Sequence, residues 1–423
     1  MKFRLLFSIA ILLVIVAACQ QAEPVPTPAP EIVATAAPTV TYPATSTPFP
    51  NETSPPTFTP VPTAIPDPLK TGTNGNPWWN DIVFYEVFVR SFYDSDGDGI
   101  GDLNGLIEKL DYINDGDPST QTDLGATGIW LMPIMVSPSY HGYDVVDYYQ
   151  VDPDYGTNED FQRLMDEAHK RGIRVIVDLV MNHTSTEHPW FIESADRSSD
   201  KRDWYVWADE SPGFRGDRGQ AVWHKKNDAY YYALFWGGMP DLNFENPEVT
   251  AAMYDAAEFW LTEMGVDGFR LDAIKHMVEE GPALENTRST HDWMEAFYSF
   301  YKDVDPNALT VGEAWTNTQQ VVEYTGDEVD IAFQFDLALD IINGAGSGLA
   351  PAFYKTQQLT VDSFPQNQYA TFITNHDQNR VIDQFRGDED KARMAASILL
   401  TGTGVPFVYY GEEIGMSGIK PDE

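Results

Sequence analysis

A (β/α)8 barrel carrying a small inserted domain is the fold that this 423-residue sequence predicts, on three observations. Apolar runs of strand length recur eight times along the chain. Helical patterns separate most of them, and near-continuous apolar strands alternating with helices imply a parallel sheet covered on both faces. Eight such units imply closure into a TIM barrel. Finally, the connection at residues 184–246 is too long to be a bare loop and reads as a domain of its own.

Two segments precede the barrel. Lys2 and Arg4 followed by "LLFSIAILLVIVAAC" show the charged start and short apolar core of a secretory signal. The run is too short and wrongly flanked for a transmembrane helix. It ends in "VAAC", which resembles the lipobox of bacterial lipoproteins, so cleavage is expected after residue 18, leaving Cys19 lipid-modified. The chain is therefore expected to be exported and anchored at the bacterial cell surface, to the cell membrane or the outer membrane. Cys19 is the only cysteine, which rules out intramolecular disulfides even though export permits them. Residues 20–68 are rich in Pro and Thr ("PVPTPAP", "SPPTFTPVPTAIPDP") and read as an extended, semi-rigid tether.

The barrel is expected over residues 69–183 and 247–423, with the inserted domain, rich in Trp, Tyr, Asp and Gly, over 184–246. Its strands are read at "IVFYEVFV" (82–89), "GIWLMPI" (128–134), "RVIVDLVMNH" (174–183) and "GFRLDA" (268–273). They continue at "LTVGEAW" (309–315), "IAFQFD" (331–336), "ATFITNHD" (370–377) and "VPFVYYGEE" (405–413). Among the helices, "NEDFQRLMDEAHKRG" (158–172) has an Asn at its start and Gly at its end, and "PEVTAAMYDAAEFWLTEMG" (247–265) has Pro early and Gly last. The sequence ends ten residues beyond the eighth strand run, before an eighth helix. The expectation is that the C-terminal part of the barrel and any following β domain are missing from this chain, leaving an apolar face open near the last strand.

A formal net charge of −39 argues against a nucleic-acid partner and against attraction to anionic membranes. The polar residues point elsewhere. Catalytic groups of a (β/α)8 barrel gather at the C-terminal ends of its strands. Asp178, Asn182 and His183 end the third strand run, Arg270 and Asp272 the fourth, Glu313 the fifth, and His376 and Asp377 the seventh. Four of the eight histidines, His141, His183, His276 and His376, fall in these motifs. Each charge alone reads as a structural ion pair; together, at matching strand ends, they line one cleft.

Three carboxylates around one point suggest glycosidic-bond chemistry. A retaining glycosidase needs a carboxylate nucleophile and a carboxylic acid about 5–5.5 Å apart, a separation within reach of Asp272 and Glu313 on adjacent strands. Arg270, two residues before Asp272, points the same way and is expected to hold it ionised. Glu313 must keep a proton near neutral pH, so its surroundings should raise its pKa. Asp377 would stabilise positive charge developing on the sugar.

From about Trp78 onward the chain resembles the α-amylase family, glycoside hydrolase family 13. The resemblance rests on "DLVMNH" (178–183), "GFRLDAIKH" (268–276), "VGEAW" (311–315) and "FITNHD" (372–377), in that order. It implies Asp272 as nucleophile, Glu313 as acid/base and Asp377 as transition-state stabiliser. It also implies that Arg270, His183 and His376 contact the sugar at the cleavage point and that Tyr143, in "HGYD", stacks on it. Lys275 and His276 resemble the pair that contacts sugar beyond the cleaved bond in true α-amylases. "MPDLN" (239–243) lies between the oligo-1,6-glucosidase and neopullulanase forms of that motif and resembles an intermediary group of secreted α-amylases. The implied substrates are starch, glycogen or maltooligosaccharides, cleaved by a monomer. Oligo-1,6-glucosidase or neopullulanase/transglycosylase-type activity is the alternative, and a surface glucan-binding protein without catalysis is a third reading, disfavoured by the three carboxylates.

Calcium is the expected cofactor. "DSDGDGIGD" (94–102) sets Asp94, Asp96 and Asp98 at alternate positions, followed by the Ile100 carbonyl and Asp102. This is the start of an EF-hand-like loop, although Gly105 stands where that loop has its bidentate Glu. A second site is expected, by resemblance, at Asn182, Asp241 and the His276 carbonyl.

Overall fold

The structure, a computed structural model, describes residues 72–216 and 218–420. The signal, Cys19 and the Pro/Thr-rich tether lie outside the described residues. Among those described, no helix is long and apolar enough to cross a membrane.

Eight parallel strands form the central sheet: β1 (Phe84–Val87), β2 (Gly128–Leu131), β3 (Arg174–Leu179), β4 (Gly268–Leu271), β5 (Leu309–Gly312), β6 (Ile331–Ala332), β7 (Ala370–Thr371) and β8 (Val405–Tyr409). Their order is β6-β5-β4-β3-β2-β1-β8-β7. A parallel bridge between Phe333 and Ala370, with Gln334 N donating to Ala370 O at 3.0 Å, closes β6 onto β7 and completes the barrel.

The strands are shorter than the apolar runs suggest, each at its C-terminal end and β1 at both ends. β7 stops at Thr371, so His376 and Asp377 stand on the loop beyond it rather than in the strand. β6 stops at Ala332, and Phe335 already opens the helix Phe335–Ser347. The apolar runs continue because these loops turn inward and pack: Phe333, Phe335 and Phe372 belong to the same buried cluster as Phe84, Trp130, Ile176, Val311 and Phe407, which fills the barrel.

Two helices wrapping the barrel illustrate how the sequence sets its ends. The helix Asn158–Lys170 is capped by Thr157, not by Asn158: the Thr157 side chain accepts from Asp160 N and Asp160 returns a bond to Thr157 N. This is a reciprocal capping box with Asp in the place of the usual Glu. The helix Pro247–Thr262 begins with Pro after the capping Asn246, and buries Val249, Met253, Ala256, Ala257, Trp260 and Leu261 along one stripe.

Between β3 and that helix lies a three-stranded antiparallel sheet, with Ala229–Tyr232 between Trp207–Ala208 and Trp223–Lys226. Val222, Tyr232, Leu234 and Leu284 form a small core beside it. The returning chain runs along the exit of β3: Leu242 N donates to Asn182 O at 2.9 Å and Thr184 N to Pro240 O at 3.1 Å. That pairing brings Asp241 beside Asn182. Leu339, Tyr354 and Leu400 of the later helices are exposed.

Candidate active site

Side chains alternate along a strand, so the interior-facing set can be followed upward from the apolar layer. Phe84 leads to Glu86, Ile176 to Asp178, and Val311 to Glu313. The apolar filling thus ends in a ring of acids. Arg270, 1 % exposed, sits at its centre. Its Nη1 donates to Asp178 Oδ1 and Oδ2, both at 2.9 Å, and to Asp272 Oδ1 at 2.7 Å, while Nη2 lies 2.9 Å from Glu313 Oε2.

Backbone geometry fixes β4 against β5 and joins the two expected catalytic carboxyls. Gly268, at φ +149°, lies so close to Leu309 that a Cβ would collide with its backbone. Ala273, directly after Asp272, adopts a left-handed conformation (φ 50°, ψ 37°). A non-glycine residue there carries strain of about 1–3 kcal/mol. In that conformation Ala273 N donates to Glu313 Oε2 at 3.0 Å, tying the Asp272 loop to Glu313.

One guanidinium cannot neutralise three carboxylates in a buried space. Burial raises the pKa of Asp178 to about 7, with Arg270 opposing it and Asp272 adding to the rise. Burial likewise raises Asp272 and Glu313, again opposed by Arg270, and Asp377 pushes both further up. For Glu313 this is the direction an acid requires. For Asp272 it runs against the expectation that Arg270 holds it ionised: burial outweighs an arginine shared with Asp178 and Glu313.

His376 and Asp377 complete the mouth. His376 Nδ1 is 2.7 Å from Glu86 Oε1, and its Nε2 is 2.7 Å from Tyr143 Oη and 3.4 Å from Asp377 Oδ2. The Tyr143 hydroxyl also donates to Asp178 Oδ2 at 3.0 Å, and its ring stacks on His376 with centroids 5.5 Å apart. Asp377 bonds Lys420 Nζ at 2.7 Å. Against its burial, His376 and Lys420 hold Asp377 down at about 2.

His183 has its Nε2 3.1 Å from the Tyr143 carbonyl and its Nδ1 3.3 Å from Asn182 Nδ2, the pattern of a neutral ring donating through Nε2. Burial agrees, lowering its pKa to about 4. His276 bonds the Leu284 carbonyl through Nδ1 at 2.7 Å, and Lys275 Nζ is held by Glu285 and by the Trp315 carbonyl at 3.0 Å. The Phe235 ring stands edge-on to both His183 and His276.

The acidic loop 94–102 is built on different partners. Asp94 accepts from Gly97 N at 2.6 Å and Gly99 N at 2.8 Å, and Asp102 accepts from Ser95 N at 2.8 Å and Gly105 N at 2.7 Å. Carboxylate oxygens of Asp94, Asp96 and Asp102 lie within 4.8 Å of one another, a spacing and donor type that fit a hard divalent cation. Asp98 is outside that trio and accepts from Ile100 N at 2.8 Å.

At the second expected cation site, Asn182 Nδ2 donates to Asp241 Oδ2 at 2.9 Å and Leu234 N to Asp241 Oδ1 at 2.9 Å. Asn182 Oδ1 is buried without a hydrogen-bond partner. Glu279, which sequence reasoning did not single out, adds a second carboxyl, and its Oε1 is equally buried and unpartnered. Burial raises Asp241 to about 7, and burial together with Asp241 raises Glu279 well above its ordinary value. Two crowded carboxyls and two unpaired oxygens fit a calcium-like cation.

Sequence reasoning placed Asp178 in the cleft without assigning it a part in the chemistry, and singled out neither Glu86 nor Lys420. Glu86 was discoverable, because two-residue alternation places it on the inner face of β1 above Phe84. Lys420 carried no local signal.

A (β/α)8 barrel with Asp272, Glu313 and Asp377 around an arginine at its C-terminal mouth defines a glycoside-hydrolase barrel. Residues 86–423 match the family described as "Alpha amylase, catalytic domain", and the chain belongs to that family. It is similar to alpha-amylase 3 of Dictyoglomus thermophilum, 47% identical over 352 residues that cover 82% of this chain and 66% of that protein. An oligo-1,6-glucosidase of Parageobacillus thermoglucosidasius is 34% identical over 386 residues, covering 81% and 66% of the two chains. Among solved structures, an alpha-amylase from H. orenii superimposes with a TM-score of 0.76 at 49% identity, covering 81% of this chain and 71% of that one. The chain thus spans 66% of the length of these two curated relatives.

Proposed function

We propose that this protein hydrolyses α-1,4-glucosidic bonds inside starch-like glucans with retention of configuration. Asp272 attacks the anomeric carbon while Glu313 protonates the leaving oxygen, giving a glycosyl–Asp272 ester. Water, deprotonated by Glu313, then releases the sugar. Asp377 stabilises positive charge on the ring in both steps. The observation that carries this reading is that Arg270 binds Asp272 and Glu313 at once, at 2.7 and 2.9 Å, setting the two carboxyls side by side at one point of the mouth. Tyr143, His183 and His376 line the sugar position there; His276 meets the Phe235 ring edge-on, as His183 does, and Lys275 directly precedes it in sequence.

The alternative, action on short α-glucans by α-1,6 hydrolysis or transfer, is favoured by the likeness to an oligo-1,6-glucosidase at 34% identity, whereas the hybrid "MPDLN" at residues 239–243 resembles the intermediary group of secreted α-amylases. The "KH" pair at 275–276 favours α-amylase, within the intermediary group of secreted enzymes. Calcium at Asp94, Asp96 and Asp102, and at Asn182, Asp241 and Glu279, would supply structural charge compensation, holding the loop after β1 and the inserted sheet. The protein is proposed to work as an exported monomer, anchored to the membrane through Cys19.

Incubation with soluble starch and with isomaltose, followed by chromatography of the products over time, tests the assignment. Maltose and longer oligosaccharides from starch, with isomaltose intact, are expected. Glucose from isomaltose would move the enzyme to the oligo-1,6-glucosidase side, and silence on both substrates from folded protein would favour a binding role.

A further inference from the structure

Asp272 and Glu313 bind Arg270 directly, whereas Asp377 is held by two other cations. His376 Nε2 approaches from one side at 3.4 Å and Lys420 Nζ from the other at 2.7 Å. Each cation is itself anchored to the scaffold. His376 Nδ1 meets Glu86 Oε1 at 2.7 Å, and Glu86, 2 % exposed, is fixed in β1. Lys420 arrives on a strap, residues 411–420, that leaves β8 and turns back to the mouth. Four bonds pin the strap to the loop and helix that follow Asp377. Arg380 N donates to Gly418 O at 2.9 Å, Gly418 N to Asp383 Oδ2 at 2.6 Å, Ser417 Oγ to Asp383 Oδ1 at 2.8 Å, and Lys420 N to Asn379 Oδ1 at 2.8 Å. An alternating row of charges, Glu86, His376, Asp377 and Lys420, therefore runs from the barrel interior to its rim.

We propose that Glu86 and Lys420 are positioning residues for the reaction, holding Asp377 ionised and aimed at the sugar from opposite sides. Glu86 acts by keeping His376 doubly protonated, and Lys420 acts by its direct ion pair. This inference rests on the roles assigned above to Asp272, Glu313 and Asp377.

The electrostatics agree with the geometry. Burial works against a charge on His376, yet Asp377 and Glu86 outweigh it and raise the ring to about 9. Burial raises Glu86 as well, opposed by its hydrogen bond to His376 and by the charges of His376 and Arg270. The other groups facing this row are Arg270, Asp272, Glu313, Asp178 and Tyr143 across the mouth, and Glu412, which Thr374 bonds and whose own carboxyl burial lifts to about 8. Asp377 raises both Asp272 and Glu313, so a cation beside it limits that rise. Removing the cation leaves Asp377 uncompensated, and both catalytic carboxyls should then hold protons to higher pH.

The full chain would be compared with its K420M, K420R, E86Q and D272N variants, on starch and in histidine-ring NMR. K420M should lower kcat about tenfold, the size of one lost charge contact of about 1.4 kcal/mol. KM should change far less, and both limbs of the pH–kcat/KM profile should move to higher pH. K420R should restore both, which a loss of packing would not allow. E86Q should shift the His376 signal from imidazolium to neutral ring at pH 7–8, whatever the activity, provided the variant melts cooperatively. If E86Q does not fold, K420M decides. A K420M enzyme with unchanged kcat and profile, or a neutral His376 at pH 7 in the unsubstituted protein, overturns the inference. Turnover retained by D272N would instead remove the underlying assignment, whereas an inactive D272N beside an unaltered K420M removes only this one.

Discussion

Two groups of carboxylates, one at the barrel mouth and one in the loop 94–102, use the same side chains for opposite ends. In the loop, Asp94 is only half-buried and accepts backbone N–H groups of Gly99 and Gly97, which pull its pKa below the ordinary value. At the mouth, Asp178, Asp272 and Glu313 are buried around a single Arg270, and burial pushes all three up. The sequence shows clusters of acids in both places. What separates them is the source of compensation: backbone amides, which any turn offers, or one guanidinium that is outnumbered. An outnumbered arginine leaves a proton inside the site, and acid–base chemistry needs that proton.

The largest expected effect comes from removing one member of the mouth. Asp272→Asn should cut starch hydrolysis by on the order of 10⁴-fold or more, the scale on which a lost nucleophile acts. Glucan binding should survive, since Tyr143, His183 and His376 keep their places. A variant that still turns over at more than a few per cent of the parent rate would take the nucleophile role away from Asp272. The equivalent change in the loop, Asp94→Asn, should leave turnover near the parent value when calcium is in excess.

Arg270 offers the sharper contrast, because its removal tests stability as well as rate. Arg270→Met strands three buried carboxyls, and breaking a buried ion pair by deleting one partner costs about 3–5 kcal/mol. The denaturant midpoint should fall accordingly. The loss should shrink as pH is lowered, because protonation neutralises the stranded groups and their raised pKa values put that relief above the usual carboxylate range. Arg270→Lys should recover little, since a point charge cannot bond three carboxyls through a planar fork. A midpoint that drops equally at pH 5 and pH 8 would mean that packing, not charge, holds this ring together.

Much of this site was legible from the chain alone, for a physical reason. Asp272 and Glu313 follow apolar strands at the one end of a barrel where polar groups can reach solvent, so strand periodicity and charge point to them together. The less legible residues act through distance in sequence. Glu86 lies within the run "IVFYEVFV", which reads as core until alternation is counted upward from Phe84. Lys420 meets Asp377 across 43 positions, and Glu279 meets Asp241 only because the inserted segment returns along β3. The strands themselves ended early for a related reason. Phe333, Phe335 and Phe372 are as apolar as strand residues, but they pack as loop and helix residues capping the barrel interior.

The smallest expected effect lies within the loop and separates a cation site from an acidic turn. If Asp94, Asp96 and Asp102 hold calcium, chelation should lower the melting temperature by a few degrees and added Ca²⁺ should reverse it. Ligand at a hundredfold excess over Kd stabilises by about 2.7 kcal/mol. A second cation at Asn182, Asp241 and Glu279 would respond to the same chelator, so the comparison must be made between variants. Asp94→Asn should remove the loop's share of the shift, because Asp94 belongs to the trio whose oxygens lie within 4.8 Å of one another. Asp98→Asn should leave it almost intact, because Asp98 accepts from Ile100 N and stands outside that trio. Equal loss from both substitutions would mean that the turn acts through its total charge. No loss from either would assign the calcium response to the second site, where the unpartnered oxygens of Asn182 and Glu279 have the greater need of a cation.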